Sequence, residues 1–342
     1  MNYTNPTTKS LENAQNGLII ALMCLTNFIA FLGNIIVVAV IMRKKSMHTL
    51  PNYLLISLSI SDLLVSLLLM PINILLWISD GQWYLGSPIC KLFLFTDIFC
   101  CTASILNLVC IALDRYWAIS APMQYIQRRT IRRLIFMLIF VYVTSALIST
   151  PPVMRHKFQK RENETFSCNH EYERLFLLYT ATGSFFLPTL IMIGVYIKVY
   201  LALRSRLRKR AERSALFKNT NMLNETDIKS NGAHENKNND TSNTKSQSFS
   251  DLRMDKKPAI TLDAERKAAR TLGIVMGTFL ICWLPFFITY VCGIEPPVFF
   301  VWLGYVNSAC NPIIYTVFSQ DFRNAFKELF KIISKKDNSP KI

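Results

Sequence analysis

Charge is scarce in this chain, and its scarcity is patterned. Only 18% of the 342 residues are Asp, Glu, Lys or Arg, against about a quarter in a typical soluble domain. Seven stretches (18–42, 53–79, 92–113, 134–154, 175–197, 271–294 and 296–320) contain two charged side chains between them, Asp62 and Asp97. The nine cysteines form no Cys-x-x-Cys pair, which argues against zinc and thiol-redox motifs. No stretch carries His-Glu-x-x-His, Gly-x-Ser-x-Gly or paired aspartates, so nothing marks an intramembrane enzyme. No internal repeat relates one half to the other, which argues against most inverted-repeat transporters. A channel or transporter would also need a polar conduit, and one charge in each of two stretches does not make one.

What is present is apolar length. Hydrophobic residues make up 51% of the chain and the mean hydropathy is +0.27. A helix needs about 20 apolar residues to cross the hydrocarbon, and each stretch is near or above that. Backbone groups in lipid must pair internally, so the crossings are helices or a closed barrel. The runs are continuous rather than alternating, which selects helices. The expected fold is an all-α membrane protein: a seven-helix transmembrane bundle with a short amphipathic helix after the seventh span.

Charge then sets the topology. A net charge of +16 can signal nucleic acid, but the basic residues flank apolar runs, so no nucleic-acid partner is expected. Residues 1–17 are polar without a basic leader, and the first apolar run is too long for a cleaved signal peptide. Arg43, Lys44 and Lys45 hold the far end of that run in the cytosol. The N-terminus is then extracellular and the C-terminus cytoplasmic, as expected at a plasma membrane. Arg128, Arg129, Arg132 and Arg133, then Arg204 to Arg210, fall on the inner side. Loop 155–174 is a partial exception with four basic residues outside. The sequons at Asn2 and Asn163 face out as glycosylation sites, whereas those at Asn224 and Asn239 face in. The segments are therefore an extracellular 1–17, spans one to five over 18–206, and a third cytoplasmic loop over 207–263. Spans six and seven follow over 264–320, then an amphipathic membrane-surface helix over 321–333 and a tail over 334–342. Residues 211–262, rich in Asn, Lys, Ser and Thr, read as disordered. In 321–333, Phe322, Phe326, Leu329, Phe330 and Ile333 recur at helical spacing among basic residues, as in a helix lying on lipid.

Short motifs narrow the reading. Gly33-Asn34 lies in span one, Leu58-Ser59-Ile60-Ser61-Asp62 in span two, and Asp114-Arg115-Tyr116 ends span three. Pro188 and Tyr196 stand eight apart in span five, Cys282-Trp283-Leu284-Pro285 marks span six, and Asn311-Pro312-Ile313-Ile314-Tyr315 marks span seven. Each is weak alone; together and in order they resemble the rhodopsin-like (class A) G-protein-coupled receptors over about 18–206 and 264–332. Asp97 seven residues after Cys90, the pair Phe286-Phe287, and Trp302-Leu303-Gly304-Tyr305 resemble the biogenic-amine group. The run from Cys100 to Ile119 looks closest to serotonin and dopamine receptors. An opsin is excluded, because span seven has no Lys to form a retinal Schiff base.

The resemblance implies a receptor, not an enzyme. Its ligand is a small-molecule monoamine, serotonin first and then dopamine, octopamine or tyramine; its partners are a heterotrimeric G protein, arrestin and receptor kinases. The long third loop and short tail resemble inhibitory (Gi/o-type) coupling. A carboxylate inside the bilayer costs at least about 2.5–3.5 kcal/mol, so Asp97 is a functional candidate on physical grounds too. It can bind a protonated amine by a charge-assisted hydrogen bond, or it can be satisfied by a neighbour such as Tyr305. Ile98, Cys101 and Thr102 share its helix. Trp283, Phe286, Phe287 and Tyr290 lie within two turns of span six and offer walls for an aromatic ring. Trp302 and Tyr305 offer a cage for an ammonium; ordinary helix packing is the competing reading. Thr180 and Ser184, four apart, share a face of span five and either meet a polar group on the ligand or bond back to their own helix.

Deeper in the bundle, Asp62 with Ser104, Asn307, Ser308 and Asn311 gives the oxygen-rich set that binds an allosteric sodium ion in the family. No other cofactor is implied. At the inner end Asp114, Arg115, Tyr116, Tyr196, Glu265, Pro312 and Tyr315 match the family's switch residues, and Arg115 would pair with Glu265. Asp97 and Arg115 are 18 residues apart on one helix face, about 27 Å, so one helix presents a ligand group at one end and a cytosolic arginine at the other. Cys90 and Cys168, both on the oxidising side, are expected as a disulfide.

The chain departs from the family at four places: Tyr142 stands where Trp is usual in span four, Ala121-Pro122 follows Arg115 in place of Asp-Pro or Asn-Pro, Thr180-Ala181-Ser184 matches neither common span-five pattern, and no cysteine follows Tyr315. A rhodopsin-like receptor for a non-amine ligand remains the alternative, and a transporter or channel the remote one.

Overall fold

The computed structural model describes residues 6–128, 130–155, 159–160, 166–168, 174–231 and 244–337. Seven of its helices are long and apolar enough to cross a bilayer: Ala14–Arg43, Leu50–Ile78, Gly86–Ser120, Ile131–Arg155, Arg174–Leu216, Arg266–Val291 and Val298–Phe318. These are spans one to seven, and they bear out the all-α seven-helix architecture. Between spans four and five a two-residue antiparallel ladder pairs Gln159 with Ser167 and Lys160 with Phe166. It leads into Cys168, which forms a disulfide with Cys90 at the top of span three.

Span three is the axis of the bundle. In its most apolar window 83% of residues are buried, against 28% in spans one and four. Its side chains therefore meet protein on nearly every side, whereas the outer spans turn Leu, Ile and Phe towards lipid. Asp97 and Arg115 lie near the two ends of this central helix, so each sits where several spans converge.

Prolines shape the local geometry. Pro71 and Pro188 lack the N–H that a straight helix would use, and their rings crowd the carbonyl four residues back. In both spans the helix widens into one π turn just before the proline. Val65–Leu69 precedes Pro71, with the Met70 amide bonded to the Val65 carbonyl. Thr182–Phe186 precedes Pro188, with the Leu187 amide bonded to the Thr182 carbonyl. Pro312 is handled differently. It leaves the Ser308 carbonyl without its usual donor, and Asn34 of span one supplies one, Nδ2 donating at 3.1 Å. Gly33 allows that approach, since a Cβ there would lie 2.8 Å from the Pro312 ring.

The structure differs from the sequence reading around the third inner loop. Residues 211–262 read as disordered from their composition; helix instead runs through Leu187–Asn231 and Thr244–Val291, with 232–243 outside the described residues. Arg, Lys, Ala, Leu and Glu dominate the end of span five and are strong helix formers, and Arg208 pairs with Glu212 one turn on at 2.9 Å. A segment growing from an existing helix also avoids the nucleation barrier that an isolated helix faces. The helix after span seven runs Gln320–Asp337, longer than the expected 321–333. Phe322 and Ala325 are buried, Phe322 stacks on Tyr315 at 5.6 Å, and Lys44 bonds both Glu328 oxygens at 3.0 and 3.1 Å.

Tyr142, which stands in place of the usual tryptophan, turns inward. Its hydroxyl is 2.8 Å from Ser57 Oγ of span two, and its ring stacks on Phe99 of span three. Asn2 and Asn163 lie outside the described residues, as does the side chain of Glu265.

Candidate ligand-binding site

The outer half of the bundle encloses a small cavity around Asp97. Ile98 and Cys101 of span three lie beside the carboxylate, Thr180 and Ser184 of span five face it, and Trp283, Phe286, Phe287 and Tyr290 of span six complete the wall. Nine expected ligand residues thus converge. Their free space is about 30 Å³, on the scale of a single water, so a ring-bearing ligand must spread the wall to enter. The aromatic side is tightly packed: Phe185 stacks on Phe287 at 4.3 Å, and Phe286 stacks on Tyr290 at 5.6 Å. The Tyr290 hydroxyl, 3.3 Å from Thr180 Oγ1, closes the cavity between spans five and six.

Both span-five hydroxyls bond back to their own helix. Thr180 donates to the Phe176 and Leu177 carbonyls at 2.9 and 3.0 Å, and Ser184 donates to the Thr180 carbonyl at 2.5 Å. Their protons are committed, so what they present to the cavity is lone pairs. They are suited to accept from a ligand O–H or ring N–H rather than to donate.

A second, smaller cavity of about 10 Å³ lies against the first. Asp97, Cys101 and Trp283 border both, and Tyr305, Ser104, Asn307 and Ser308 line the lower one. The Tyr305 hydroxyl donates to Asp97 Oδ1 at 3.3 Å. The Trp283 ring lies flat on Gly304, where a Cβ would come within 2.9 Å of it. Two expected ligand residues are not brought in. Trp302 packs edge-on against Tyr305 at 5.7 Å, in the cluster shared by spans one to three, and lines neither cavity. Thr102 is fully buried, donates to the Ile98 carbonyl at 2.7 Å and also lines neither. The sequence offered Trp302 with Tyr305 as a cage for an ammonium; the two rings do meet, but Trp302 packs into the apolar cluster instead of lining either cavity.

The sequence reading also missed Asn73 of span two, whose Nδ2 donates to the Tyr305 hydroxyl at 2.9 Å and to the Leu69 carbonyl at 3.0 Å. The signal available was an amide in an apolar run. Its direction was hidden by the π turn beneath it, which breaks the helical phase counted up from Asp62.

Below the lower cavity Asp62 is buried, with 1% of its surface exposed. Ser308 Oγ donates to Oδ1 at 2.7 Å and Asn311 Nδ2 to Oδ2 at 2.9 Å. Asn307 Oδ1 is buried with no hydrogen-bond partner among the described residues. Ser104 and Asn307 line the lower cavity together with Ser308, which also donates to the carboxylate.

At the inner end the fully buried Asp114 accepts from the Tyr125 hydroxyl on both oxygens at 3.0 Å. Arg115 opens onto a cavity of about 400 Å³ bordered by Lys44, Asn52, Tyr125, Asp321 and Asn324. Tyr116 packs beside Ile119, Val199, Leu203 and Ala269. The Tyr196 ring rests on Gly273 of span six, where a Cβ would overlap its hydroxyl. Arg270 of span six lies over the Phe318 ring of span seven at 6.0 Å. The Arg115–Glu265 pair falls outside the described side chains.

Residues 33–315 match the model of the 7 transmembrane receptor (rhodopsin family). A probable G-protein coupled receptor No18 of Amphibalanus amphitrite is 37% identical over 341 residues, covering 91% of this chain and 89% of the relative. The 5-hydroxytryptamine receptor 1B of Mus musculus is 38% identical over 92% of this chain and 87% of its own. The same receptor of Didelphis virginiana is 39% identical over 88% and 82%. Family membership implies a small-molecule ligand and a G-protein partner. Given the seven spans, the ordered motifs and these matches, the chain belongs to the rhodopsin family of seven-transmembrane receptors, multi-pass G-protein-coupled membrane proteins that are receptors and not enzymes.

Proposed function

We propose that this chain is a receptor for a biogenic monoamine, with serotonin first among the candidates, and that it binds the protonated amine at Asp97. The observation that carries this reading is the position of Asp97. It is half-buried on the most enclosed helix, borders two cavities and faces an aromatic wall. An ammonium placed there forms a charge-assisted pair in a medium of low dielectric. A bicyclic or catechol ring then lies between Phe286, Phe287 and Trp283, and its polar edge meets the lone pairs of Thr180 and Ser184. Curated relatives named as serotonin receptors support the choice of amine.

Activation is a shift between two arrangements, and an agonist drives it only by binding one of them better. Entry of a ring into 30 Å³ must separate Tyr290 from Thr180 and press on Trp283, and Trp283 rests on Gly304 of span seven. Displacement there reaches Ser308 and Asn311, and through them Asp62. Asp62, Ser104, Asn307, Ser308 and Asn311 suit a sodium ion, and the unpartnered Asn307 oxygen is the observation that favours one. When bound, such an ion neutralises the Asp62 charge and favours the inactive arrangement. The cytoplasmic cavity beside Arg115 receives the G protein, of Gi/o type, with arrestin and receptor kinases acting on the same face. The N-terminus is extracellular, with Asn2 and Asn163 glycosylated.

The test is second-messenger output in cells expressing the wild type or Asp97→Ala, challenged with serotonin, dopamine, tyramine, octopamine and histamine. The expected result is activation by at least one amine, lost in the variant at equal surface expression. If no amine acts, the ligand is not an amine; if the variant responds equally, Asp97 is not the carboxylate that binds it.

A further inference from the structure

We propose that Asn73 is a positioning residue for the amine-binding carboxylate, acting through Tyr305. A tyrosine hydroxyl has one proton to give and can also accept. Asn73 Nδ2 donates to it at 2.9 Å, which occupies the oxygen on the span-two side. The proton is thereby left for Asp97 Oδ1, 3.3 Å away. Three side chains on spans two, seven and three form a relay whose hydrogen bonds all run one way, ending on the carboxylate. A hydroxyl fixed in this way holds the carboxylate rotamer before a ligand arrives, and a pre-set partner loses less freedom on binding.

Asn73 is itself held at a defined height. Its second amide hydrogen goes to the carbonyl of Leu69, the last residue of the π turn, at 3.0 Å. Pro71 lies between the two and fixes the turn. Both amide hydrogens are therefore spent, one to anchor the side chain and one to aim the tyrosine. Trp302, edge-on against the Tyr305 ring at 5.7 Å, limits ring rotation on the other side.

This inference rests on the amine reading for its binding readout and is independent of it for its spectroscopic one. The binding experiment is a double-mutant cycle with radiolabelled serotonin on surface-expressed receptor: wild type, Asn73→Leu, Tyr305→Phe and the pair. Asn73→Leu is expected to weaken binding about three- to tenfold, the range of one neutral hydrogen bond. The same change in the Tyr305→Phe background is expected to do nothing further, and Asn73→Gln, which keeps the donor, is expected to recover most of the loss. A merely structural asparagine would instead lower affinity equally in both backgrounds, and that additive result overturns the proposal. The second readout needs no ligand: the 13Cζ resonance of Tyr305 in nanodisc-reconstituted receptor, assigned by its loss in Tyr305→Phe. It is expected to shift in both Asn73→Leu and Asp97→Asn. If serotonin does not bind but both shifts appear, the relay stands and serotonin is not the ligand. If neither shift appears, the relay is wrong whatever binds.

Discussion

Two carboxylates are carried into the membrane by this bundle, and their surroundings differ. Asp62 is sealed: each oxygen takes a donor from span seven at 2.7 or 2.9 Å, and no described cavity touches it. Asp97 is half-buried, borders two cavities, and receives the Tyr305 hydroxyl at 3.3 Å. A buried charge must be paired, and the kind of pairing indicates its use. Asp62 is matched by the protein's own groups, which suits a joint between spans two and seven. Asp97 has space around it for a cation from outside.

If that contrast is right, altering each partner set should change different observables. Asp62→Asn removes the charge and turns one of the two acceptor oxygens that join spans two and seven into a donor. Agonist-driven signalling is expected to fall at least about 30-fold in potency or be lost, while antagonist affinity stays within about threefold, since breaking a buried charge network costs about 2–5 kcal/mol. Dose–response and antagonist binding in the same cells check this. Gly304→Ala tests the link between the two regions. The added Cβ would meet three atoms of the Trp283 ring at 2.9–3.0 Å, so the ring must shift. A change in basal activity and a roughly tenfold change in agonist potency are expected, since such overpacking typically costs about 1–3 kcal/mol.

Smaller effects belong to the span-five side. Thr180→Val and Ser184→Ala remove lone pairs, not charge. Each is expected to reduce binding of a ring-hydroxylated amine by about three- to tenfold and to leave the unsubstituted amine unchanged. Competition binding with matched pairs of ligands reads this directly. The smallest effect is expected at Lys44→Ala. Its partner Glu328 is 62% exposed, and exposed pairs contribute about 0–1 kcal/mol. Coupling efficiency is expected to change by less than about fivefold, and ligand affinity not at all.

Most of this fold could be read from the sequence because lipid imposes a simple rule: long uncharged runs must be helices. The nine converging cavity residues could be found because motif spacing fixes helix and height. What could not be read depended on phase and on partners far away in sequence. Two π turns shift the helical count, one beneath Asn73 and one through Ser184, and the only sign of either is a proline two residues past its end. Trp302 was read with Tyr305 as part of an ammonium cage, yet it packs edge-on against Tyr305 and lines neither cavity. Tyr142 looked like a lost tryptophan until Ser57, 85 residues earlier, was seen to meet its hydroxyl. The inner extensions of spans five and six were read as disorder because their composition is polar, although strong helix formers attached to an existing helix continue it.

The central claim is that Asp97 recognises charge. The most direct measurement is equilibrium binding of serotonin to wild type, Asp97→Asn and Asp97→Glu at matched surface expression. Asp97→Asn keeps the shape and one acceptor oxygen but removes the charge. Affinity is expected to fall at least about 100-fold, within the range for breaking a desolvated ion pair, with part of it kept by Asp97→Glu. Binding in Asp97→Asn within threefold of wild type would contradict the account and leave Asp97 a structural carboxylate.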